Sequence, residues 1–285
     1  MGRNWRNFED RFCPPPNWKV GDEKDVTIGG NINETVTMVI VGLNHDDKAD
    51  GSGKAPITLG MKNLMTTQKQ MNKARSNIGS FVATDMYLWL QMEIFPNLPL
   101  ELQKLIIPVT KKTTAGNSST TIRTDSMKLW LFSNKELSGR YSDEGTRYAY
   151  YTQNTSLVKK ISNGAGSVSN WWLRSPNTAT DTYFRCVTSD GSISSNGGAN
   201  NSYGVCFGFA IDAPSESYSI EHGEQGLVVQ PTGKYKETVP LQSTYPIMTM
   251  NNKRIQKIRD DSGTYKFIFE MPQSAVTLKY GNPEV

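Results

Sequence analysis

The sequence is poor in cysteine and histidine. Its 285 residues include only Cys13, Cys186 and Cys206, together with His45 and His222. A small, odd number of cysteines argues against a disulfide scaffold, and the lack of a C-x-x-C pair removes the ligands of a structural zinc site. A hydrolase triad needs a base, and the two histidines are the only candidates for it. We therefore expect no catalytic residues and no cofactor.

Long apolar runs and dense positive charge are also missing. No stretch of about 18 apolar residues occurs, so we expect no membrane insertion. Residues 1–19 carry charges and three prolines without an apolar segment, which predicts no signal peptide. The net charge is only +4 and the basic residues come in isolated pairs, so no nucleic-acid partner is expected. Phosphate-binding glycine motifs and a nucleophile elbow are absent from the sequence.

Turn-forming and aromatic residues are abundant. The chain has 24 glycines, six tryptophans and twelve tyrosines, which predicts turn-rich β structure around an aromatic core. Its length suits two domains. The composition changes along the chain predict an extended arm at 1–20, a main domain at 21–212, a polar linker at 213–225 and a small β-sandwich-like module at 226–285.

Periodicity predicts the elements of the main domain. Residues 26–43 form two strands around a Gly-Gly-Asn turn, and residues 83–95 form a buried helix with Thr84 as its N-cap. A second short helix starts at Pro99. Strands follow at 107–113 and 128–133, with a polar loop at 114–119 between them.

The late part of the main domain is predicted to be a block of short strands. Trp171 and Trp172 begin a buried strand, and residues 183–188 form a hairpin strand that ends in the turn Asp190-Gly191. In residues 205–211, one face carries large apolar side chains, and the other carries small residues, including Gly208, that pack closely on another element. Alternating aromatics predict further strands at 265–280.

An acidic loop at residues 45–53 is a weak calcium candidate. Asp46, Asp47 and Asp50 could supply an irregular site, although the spacing fails the EF-hand pattern. The alternative is a solvated acidic turn, with His45 as a turn residue.

A second candidate combines aromatic and amide side chains. Aromatic faces beside amides suit sugars or loop-mediated protein contacts. The alternative is that the Trp pair is core and the asparagines form turns. The candidate ligand-binding residues are Asn177, Asp181, Tyr183, Asn196, Asn200 and Tyr203.

Several motifs together are typical of one domain family. They are W-W-L-R-S-P at 170–176 with its preceding asparagine, the S-D-G turn at 189–191, N-S-Y-G-V at 201–205, V-G-L-N-H-D at 41–46, T-K-K-T-T at 110–114 and E-G-T-R-Y-A-Y-Y at 144–151. The chain over residues 20–212 resembles an uncharacterised domain family common in gut bacteria, their prophages and phages. That family has no assigned activity.

The layout of these elements also resembles the C-type-lectin-like fold. The resemblance implies an α+β domain in which two short helices precede a late block of antiparallel strands that presents an adaptable loop surface, followed here by the small all-β C-terminal domain. The lectin calcium–sugar motifs are absent, as are the cysteines of formylglycine-generating enzymes. The C-terminal F-x-F-x-M-P-x-x-x-V-T-L stretch is similar to small β repeats of bacterial and phage surface proteins.

These resemblances imply a phage structural protein. We expect a non-enzymatic virion component, such as a capsid decoration, head fibre or tail-tip subunit, that is made in the host cytoplasm and displays a lectin-like domain. Its expected partners are other virion proteins and copies of itself, with a host-surface glycan or protein as ligand. The alternative is a host-surface glycan- or protein-binding adhesin module that is not built into a particle. An enzyme of the formylglycine-generating type, or a glycan hydrolase, is the least favoured hypothesis.

Overall fold

The computed structural model describes residues 18–154 and 156–212 with their side chains, and beyond them the backbone of seven short strands between Tyr218 and Gly281. The chain divides into two compact units, with Trp18–Asp212 in the larger one and the strands from Tyr218 onward in the smaller one. The predicted arm at 1–20 lies outside the described residues up to residue 17.

The larger unit contains both helices and sheets and is mainly β. Its strands are β1 Glu23–Ile28, β2 Glu34–Leu43, β3 Ile57–Met61, β4 Gln68–Lys69, β5 Ile106–Ile107, β6 Val109–Gly116, β7 Ser119–Met127, β8 Leu129–Leu131, β9 Trp171–Pro176, β10 Tyr183–Val187, β11 Ile193–Gly198, β12 Tyr203–Gly204 and β13 Phe207–Ile211. Its α-helices are α1 Asp85–Trp89, α2 Phe95–Asn97, α3 Leu100–Leu105, α4 Asn134–Ser138 and α5 Ala149–Gln153.

One sheet forms the apolar centre of this unit. Its order is β1-β2-β3-β13-β5, and β8 also pairs with β13. The predicted hairpin at 26–43 is confirmed as β1 and β2, because its β-branched residues alternate around a Gly-Gly-Asn turn. Every residue of β3 and β13 is buried, so the chain returns through the centre of the sheet at its last strand.

A second sheet carries the family-like motifs of the late strands. Its order is β11-β10-β9-β12-β4, and β9 pairs with β12 in parallel. The predicted Asp190-Gly191 hairpin joins β10 to β11, with Gly191 at φ 87°, the left-handed conformation that glycine adopts most easily. Trp171 and Trp172 are fully buried, as predicted for a core pair.

The predicted helix at 83–95 is not continuous. Thr84 caps α1 by accepting a hydrogen bond from the Tyr87 amide, as predicted, but residues Leu90–Ile94 form a π-helical turn before α2. Pro96 has no N–H for the carbonyl four residues earlier, which disfavours a regular α-helix here.

The burial of this helix was also overestimated. Met86, Leu90 and Ile94 are fully buried as expected. Leu88 and Met92 are 56% and 72% exposed, so only one face of the segment packs against the core. The predicted second helix is confirmed as α3, which starts directly after Pro99.

The hairpin of β6 and β7 was missed from sequence. Residues 114–119 were predicted as a loop, whereas β6 continues to Gly116 and β7 begins at Ser119. Asn117 and Ser118 both have positive φ and make the tight turn. Strand β7 reads STTIRTDSM and lacks the alternating apolar residues on which a sequence prediction depends.

The smaller unit is described only through its strand backbones. They are β14 Tyr218–Gly223, β15 Gly226–Pro231, β16 Ile247–Met250, β17 Lys253–Arg254, β18 Gln256–Arg259, β19 Tyr265–Ile268 and β20 Leu278–Gly281. Five of them form a sheet in the order β14-β15-β20-β16-β17, and β18 pairs with β19. Strand β14 falls within the predicted linker at 213–225, and the predicted strands around 265–280 coincide with β19 and β20.

Within the described part of the chain, we find no helix with the length and apolar character needed to cross a membrane.

The close packing around Gly208 leads to a testable prediction about stability. A Cβ atom at this position would lie 2.8 Å from the Leu59 carbonyl oxygen and 3.0 Å from Cζ of Phe132, so the predicted small-residue face of β13 is confirmed. Gly208→Ala should lower the free energy of unfolding by about 1–3 kcal/mol, the usual cost of overpacking a core. Five of the six tryptophans lie in the described part of this unit and none follows Trp172 in the sequence, so urea unfolding followed by tryptophan fluorescence reports on this unit.

Gly29→Ala is the matched control. Its Cβ would meet only the Asn97 carbonyl oxygen, at an ordinary 3.6 Å. We expect a change of under about 0.5 kcal/mol there, and equal effects of the two substitutions would contradict the packing at Gly208.

Candidate binding surface and ion cluster

A buried ammonium group lies at the centre of the larger unit. The Lys111 Nζ donates to Asp46 Oδ1 at 2.6 Å, to Glu136 Oε1 at 2.9 Å and to the Tyr148 hydroxyl at 2.6 Å. It also lies 4.1 Å from the ring centroid of Trp130. The three N–H groups of this lysine are thus all engaged by protein, as burial of an ammonium requires.

Arg174 extends the same cluster. Its guanidinium is fully buried and forms a fork with Glu136, at 2.5 Å from Nη1 to Oε2 and 2.9 Å from Nη2 to Oε1. Its other bonds go to the Thr113 hydroxyl and to the carbonyl oxygens of Leu131, Lys112 and Glu144. A planar fork of this kind matches a carboxylate in both geometry and charge.

Glu144 joins this cluster to strands β6 and β9. Its carboxylate accepts from the amide and the hydroxyl of Thr114, at 2.8 and 2.9 Å, and from the hydroxyl of Ser175. The Ser133 hydroxyl donates to its carbonyl oxygen at 2.9 Å. We call the set of Asp46, Lys111, Glu136, Glu144, Tyr148 and Arg174 the ion cluster.

The charges of the cluster support one another. Burial alone would raise the pKa of Glu136, but Arg174 and Lys111 outweigh it and hold this pKa below its ordinary value. The pKa of Asp46 is lowered in the same way, against the effect of burial, by Lys111 and by hydrogen bonds from Lys111 and Thr58. Burial raises the pKa of Tyr148 well above the usual range, and the nearby Asp46 and Glu136 carboxylates add to this. The tyrosine therefore stays protonated.

The polar residues of the family-like motifs converge on this cluster. Asp46, Lys111, Glu144 and Tyr148, together with Arg174, come from four of the sequence stretches that carry the resemblance. Glu136 is contributed by α4, where it also completes a capping box with Ser133. Because the donors of Lys111 and Arg174 point to protein acceptors, the cluster holds loops and strands together and leaves no cation free for a ligand.

The aspartates of the calcium candidate have separate partners. Asp46 is buried, unlike a solvated turn residue, and both of its oxygens accept hydrogen bonds from protein. Asp47 pairs with Lys54 at 2.7 Å, and Asp50 caps the turn by accepting from the amide and hydroxyl of Ser52. Among the described residues, no group of three acidic, histidine or cysteine side chains is arranged to hold a metal. A cation at Asp46 would have to displace the Lys111 ammonium.

His45 lies beside the cluster. Its ring centroid is 4.2 Å from that of Tyr148, and its Nε2 is 3.0 Å from the Thr146 hydroxyl. Burial lowers the pKa of His45, so the neutral imidazole is favoured. Cys186 is buried in β10, and Cys206 is buried directly before β13, not within a strand as predicted. Burial raises the pKa of Cys186 to about 11, which makes it an unreactive thiol.

The aromatic–amide candidates form a surface at one end of the second sheet. Tyr183, at the start of β10, accepts a hydrogen bond from Arg75 Nη2 at 2.8 Å, and the guanidinium carbon lies 4.8 Å from the tyrosine ring centroid. Tyr203, in β12, lies 4.5 Å from the ring of Trp172 and accepts from the Asn201 amide at 2.9 Å. Gln70 donates to the Asn200 carbonyl oxygen at 2.7 Å. We call Gln70, Arg75, Tyr183, Asn200, Asn201 and Tyr203 the loop surface.

The remaining candidate ligand-binding residues lie outside the loop surface and differ in their exposure. Asn177 is buried, because its amide donates to the Ser195 carbonyl and its oxygen accepts from the Ala179 amide, so it builds a turn and does not face a ligand. Asp181 is exposed, and its backbone carbonyl accepts a hydrogen bond from the backbone N–H of Asn77 at 2.6 Å. Asn196 is exposed on β11. No contact joins Asp181 or Asn196 to the loop surface among the hydrogen bonds of the described residues.

Sequence reasoning missed the residues from the earlier loop. Gln70 and Arg75 lie 130 and 108 residues before their partners, so only the fold brings them to the surface. Asn77 was missed as well. Its buried side-chain amide donates to the backbone carbonyls of Thr180 and Tyr183, both at 2.8 Å. The side-chain oxygen accepts from the backbone N–H of Asn117. These bonds fix three loops to one another. The many asparagines in the sequence predicted turns, but they did not predict a buried asparagine that links loops.

The fork of Arg174 leads to a stability prediction. Arg174→Met should lower the free energy of unfolding by about 3–5 kcal/mol, because it leaves the Glu136 carboxylate buried without its main partner. Lys104→Met is the control, since Lys104 and its partner Glu101 are each at least half exposed. The control should change stability by under about 1 kcal/mol in the same urea titration. Similar values for both variants would contradict a stabilising role for the cluster.

A pH dependence follows from the lowered pKa of Glu136. A carboxyl whose pKa is lower in the folded state than in the unfolded state adds stability above its unfolded pKa, and this stability is lost as pH falls through the folded value. Glu136→Gln should therefore be less stable than the parent at neutral pH, and its unfolding free energy should fall less steeply between about pH 6 and pH 3. Glu93→Gln, at an exposed carboxylate, should retain the parent's slope. Equal slopes for all three proteins would contradict this prediction.

No curated protein and no solved structure matches this chain. A domain family described as "Domain of unknown function (DUF6273)" matches residues 57–213, from the start of β3 to just past the end of β13, which is more than half of the chain. The matched segment includes Lys111, Glu136, Glu144, Tyr148 and Arg174 of the ion cluster and all of the loop surface. The expectation of an uncharacterised domain family is thus confirmed at this level, and the chain belongs to the DUF6273 family.

Proposed function

We propose that this chain is a non-enzymatic binding protein that presents the loop surface to a ligand from a rigid scaffold. The observation that carries the proposal is the way in which the surface is held. Tyr203 rests on the buried Trp172, and Tyr183 is fixed through its carbonyl by the buried Asn77. A surface that is ordered before binding loses less conformational entropy when the ligand arrives.

The composition of the loop surface supports binding. It combines two tyrosines, one arginine and three amide side chains, which offer flat apolar faces and hydrogen-bonding groups on short, well-held loops. Such combinations suit glycans and protein loops. The ion cluster, by contrast, has its charges paired within the protein and supports the scaffold.

The C-type-lectin-like fold is part of the proposal. Helices α1 to α5 precede the strands β9 to β13, and the loop surface is built largely from these late strands and their connections. This order of elements supports the resemblance drawn from the sequence. The fold alone supplies no activity, so the function is argued from the surface.

We further propose that the protein is a phage virion component, as a capsid decoration, head fibre or tail-tip subunit. The support comes from the sequence, through the resemblance to domains of gut bacteria and phages and the similarity of the C-terminal segment to surface-protein repeats. A homo-oligomer is then expected, because sites on a virion are symmetric. A second candidate, an adhesin for host-surface glycan or protein outside a particle, rests on the same loop surface.

Mass spectrometry of gradient-purified phage particles from a producing strain tests the virion setting. We expect peptides of this chain in the particle fraction, with its copy number measured against the major capsid protein. Hundreds of copies would indicate a head decoration, and a few copies would indicate a fibre or tail tip. Absence from particles, with the protein present in the cell lysate, would overturn the virion setting and favour the adhesin.

Substitution in the loop surface tests the binding role. Tyr183→Ala and Tyr203→Ala should each reduce adsorption to host cells by about tenfold or more, as loss of an aromatic anchor does in other interfaces. Tyr141→Ala is the control, because Tyr141 is a 63% exposed tyrosine that contacts Arg185, outside the loop surface. Unchanged adsorption for both surface variants, with particles assembled normally, would leave the protein a purely architectural role.

A further inference from the structure

Arg75 is held in place but has most of its hydrogen-bonding capacity left over. A guanidinium has five N–H donors, and one of Arg75 binds the Tyr183 hydroxyl. Within the described residues, the others have no acceptor and the side chain forms no ion pair, although it is exposed to solvent. The Tyr183 ring, 4.8 Å from the guanidinium carbon, restrains the fork. Arg75 is thus a cation that Tyr183 holds in place and that has no carboxylate partner among the described residues.

Two amide side chains lie close to this guanidinium, around Gly198. A Cβ atom on Gly198 would be 3.3 Å from Arg75 Nε and 3.4 Å from each of Asn200 Oδ1 and Asn201 Oδ1. The glycine therefore lets the arginine and the two amide side chains approach one another closely at the surface. Asn201 continues the contact to Tyr203, whose ring lies on Trp172. Charge, amides and an aromatic ring thus follow one another across the surface.

We propose that Arg75 binds the carboxylate of an acidic sugar, with Asn200, Asn201 and Tyr203 contacting the rest of the sugar. This inference rests on the proposed binding function and names its ligand class. A planar guanidinium with free donors matches a carboxylate in a bidentate pair. Amide side chains hydrogen-bond hydroxyl groups, and a tyrosine ring covers the apolar face of a pyranose.

The neighbouring charges are compatible with an anionic ligand. Lys73 is exposed two residues before Arg75, and Asp181 is exposed two residues before Tyr183. No salt bridge of the described residues joins either side chain to the loop surface. Arg75 is thus the cation that lies beside the Asn200 and Asn201 amides.

Direct binding of the full-length protein to defined saccharides tests this proposal. The probes are oligomers of galacturonate, glucuronate and sialate, each beside its methyl ester, which keeps the ring and removes the charge. We expect biolayer interferometry to detect binding of at least one acid, weaker binding of its ester and further weakening with added salt. Arg75→Met should lower the affinity for that acid by about ten- to a hundredfold, the usual value of a charged hydrogen bond.

Arg185→Met is the matched control. Its guanidinium also lies over a tyrosine, 5.0 Å from the ring centroid of Tyr141, but it is not among the groups that surround Gly198. This variant should bind the acid as the parent does. Equal losses in Arg75→Met and Arg185→Met would indicate unspecific attraction and overturn the proposal. Unchanged tryptophan fluorescence of Arg75→Met confirms that the variant is folded.

The outcomes separate the ligand class from the binding function itself. Binding to none of these acids, or equal binding of acid and ester, would overturn the carboxylate proposal. If Tyr183→Ala and Tyr203→Ala still reduce adsorption in that case, the proposed binding function stands with a different ligand. Polyglutamate binding as tightly as the acidic sugars would also overturn the sugar class and identify an acidic protein surface as the ligand.

Discussion

The buried fork between Arg174 and Glu136 is the interaction on which the rest of the larger unit depends. Removing charged groups from water is costly unless each one is paired and hydrogen-bonded. The cluster meets this condition only when Asp46, Lys111 and Glu136 are in place around Tyr148, and each comes from a different segment of the chain. Any arrangement that misplaces one segment leaves a buried charge unpaired. The cluster therefore selects a single packing of loops and strands.

The loop surface inherits its order from this core. Strand β9 carries Arg174 in the cluster and, two residues earlier, Trp172, on which Tyr203 rests. Beyond the end of β9, Asn177 and Asn77 hold the loop that leads to Tyr183. The W-W-L-R-S-P motif thus links the buried ion cluster, whose charges are paired within the protein, to the exposed loop surface. In the proposed function, by contrast, the ligand is contacted by residues outside the motif, such as Arg75.

The local sequence pattern was sufficient to predict a feature where a residue type strongly favours one structural role. The hairpin of β1 and β2, the Thr84 cap and the buried Trp171–Trp172 pair were all predicted from sequence. Prediction was wrong where the surroundings decide. Strand β7 is polar and was not predicted, because pairing with β6, and not an apolar pattern, makes it a strand. The helix at 83–95 was predicted as continuous and wholly buried, but it contains a π-helical turn and exposes Leu88 and Met92.

The sequence by itself determined the mainly β character, the turns, the buried aromatic residues and the membership of an uncharacterised domain family, since these depend on composition and short-range pattern. It also pointed to Tyr183, Asn200 and Tyr203. Only the tertiary structure decided that Asp46 is a buried partner of Lys111, that Asn177 is internal and that Arg75 joins the loop surface. The physical reason is distance along the chain: Arg75 and Tyr183 are 108 residues apart, and no local propensity encodes a contact of that range.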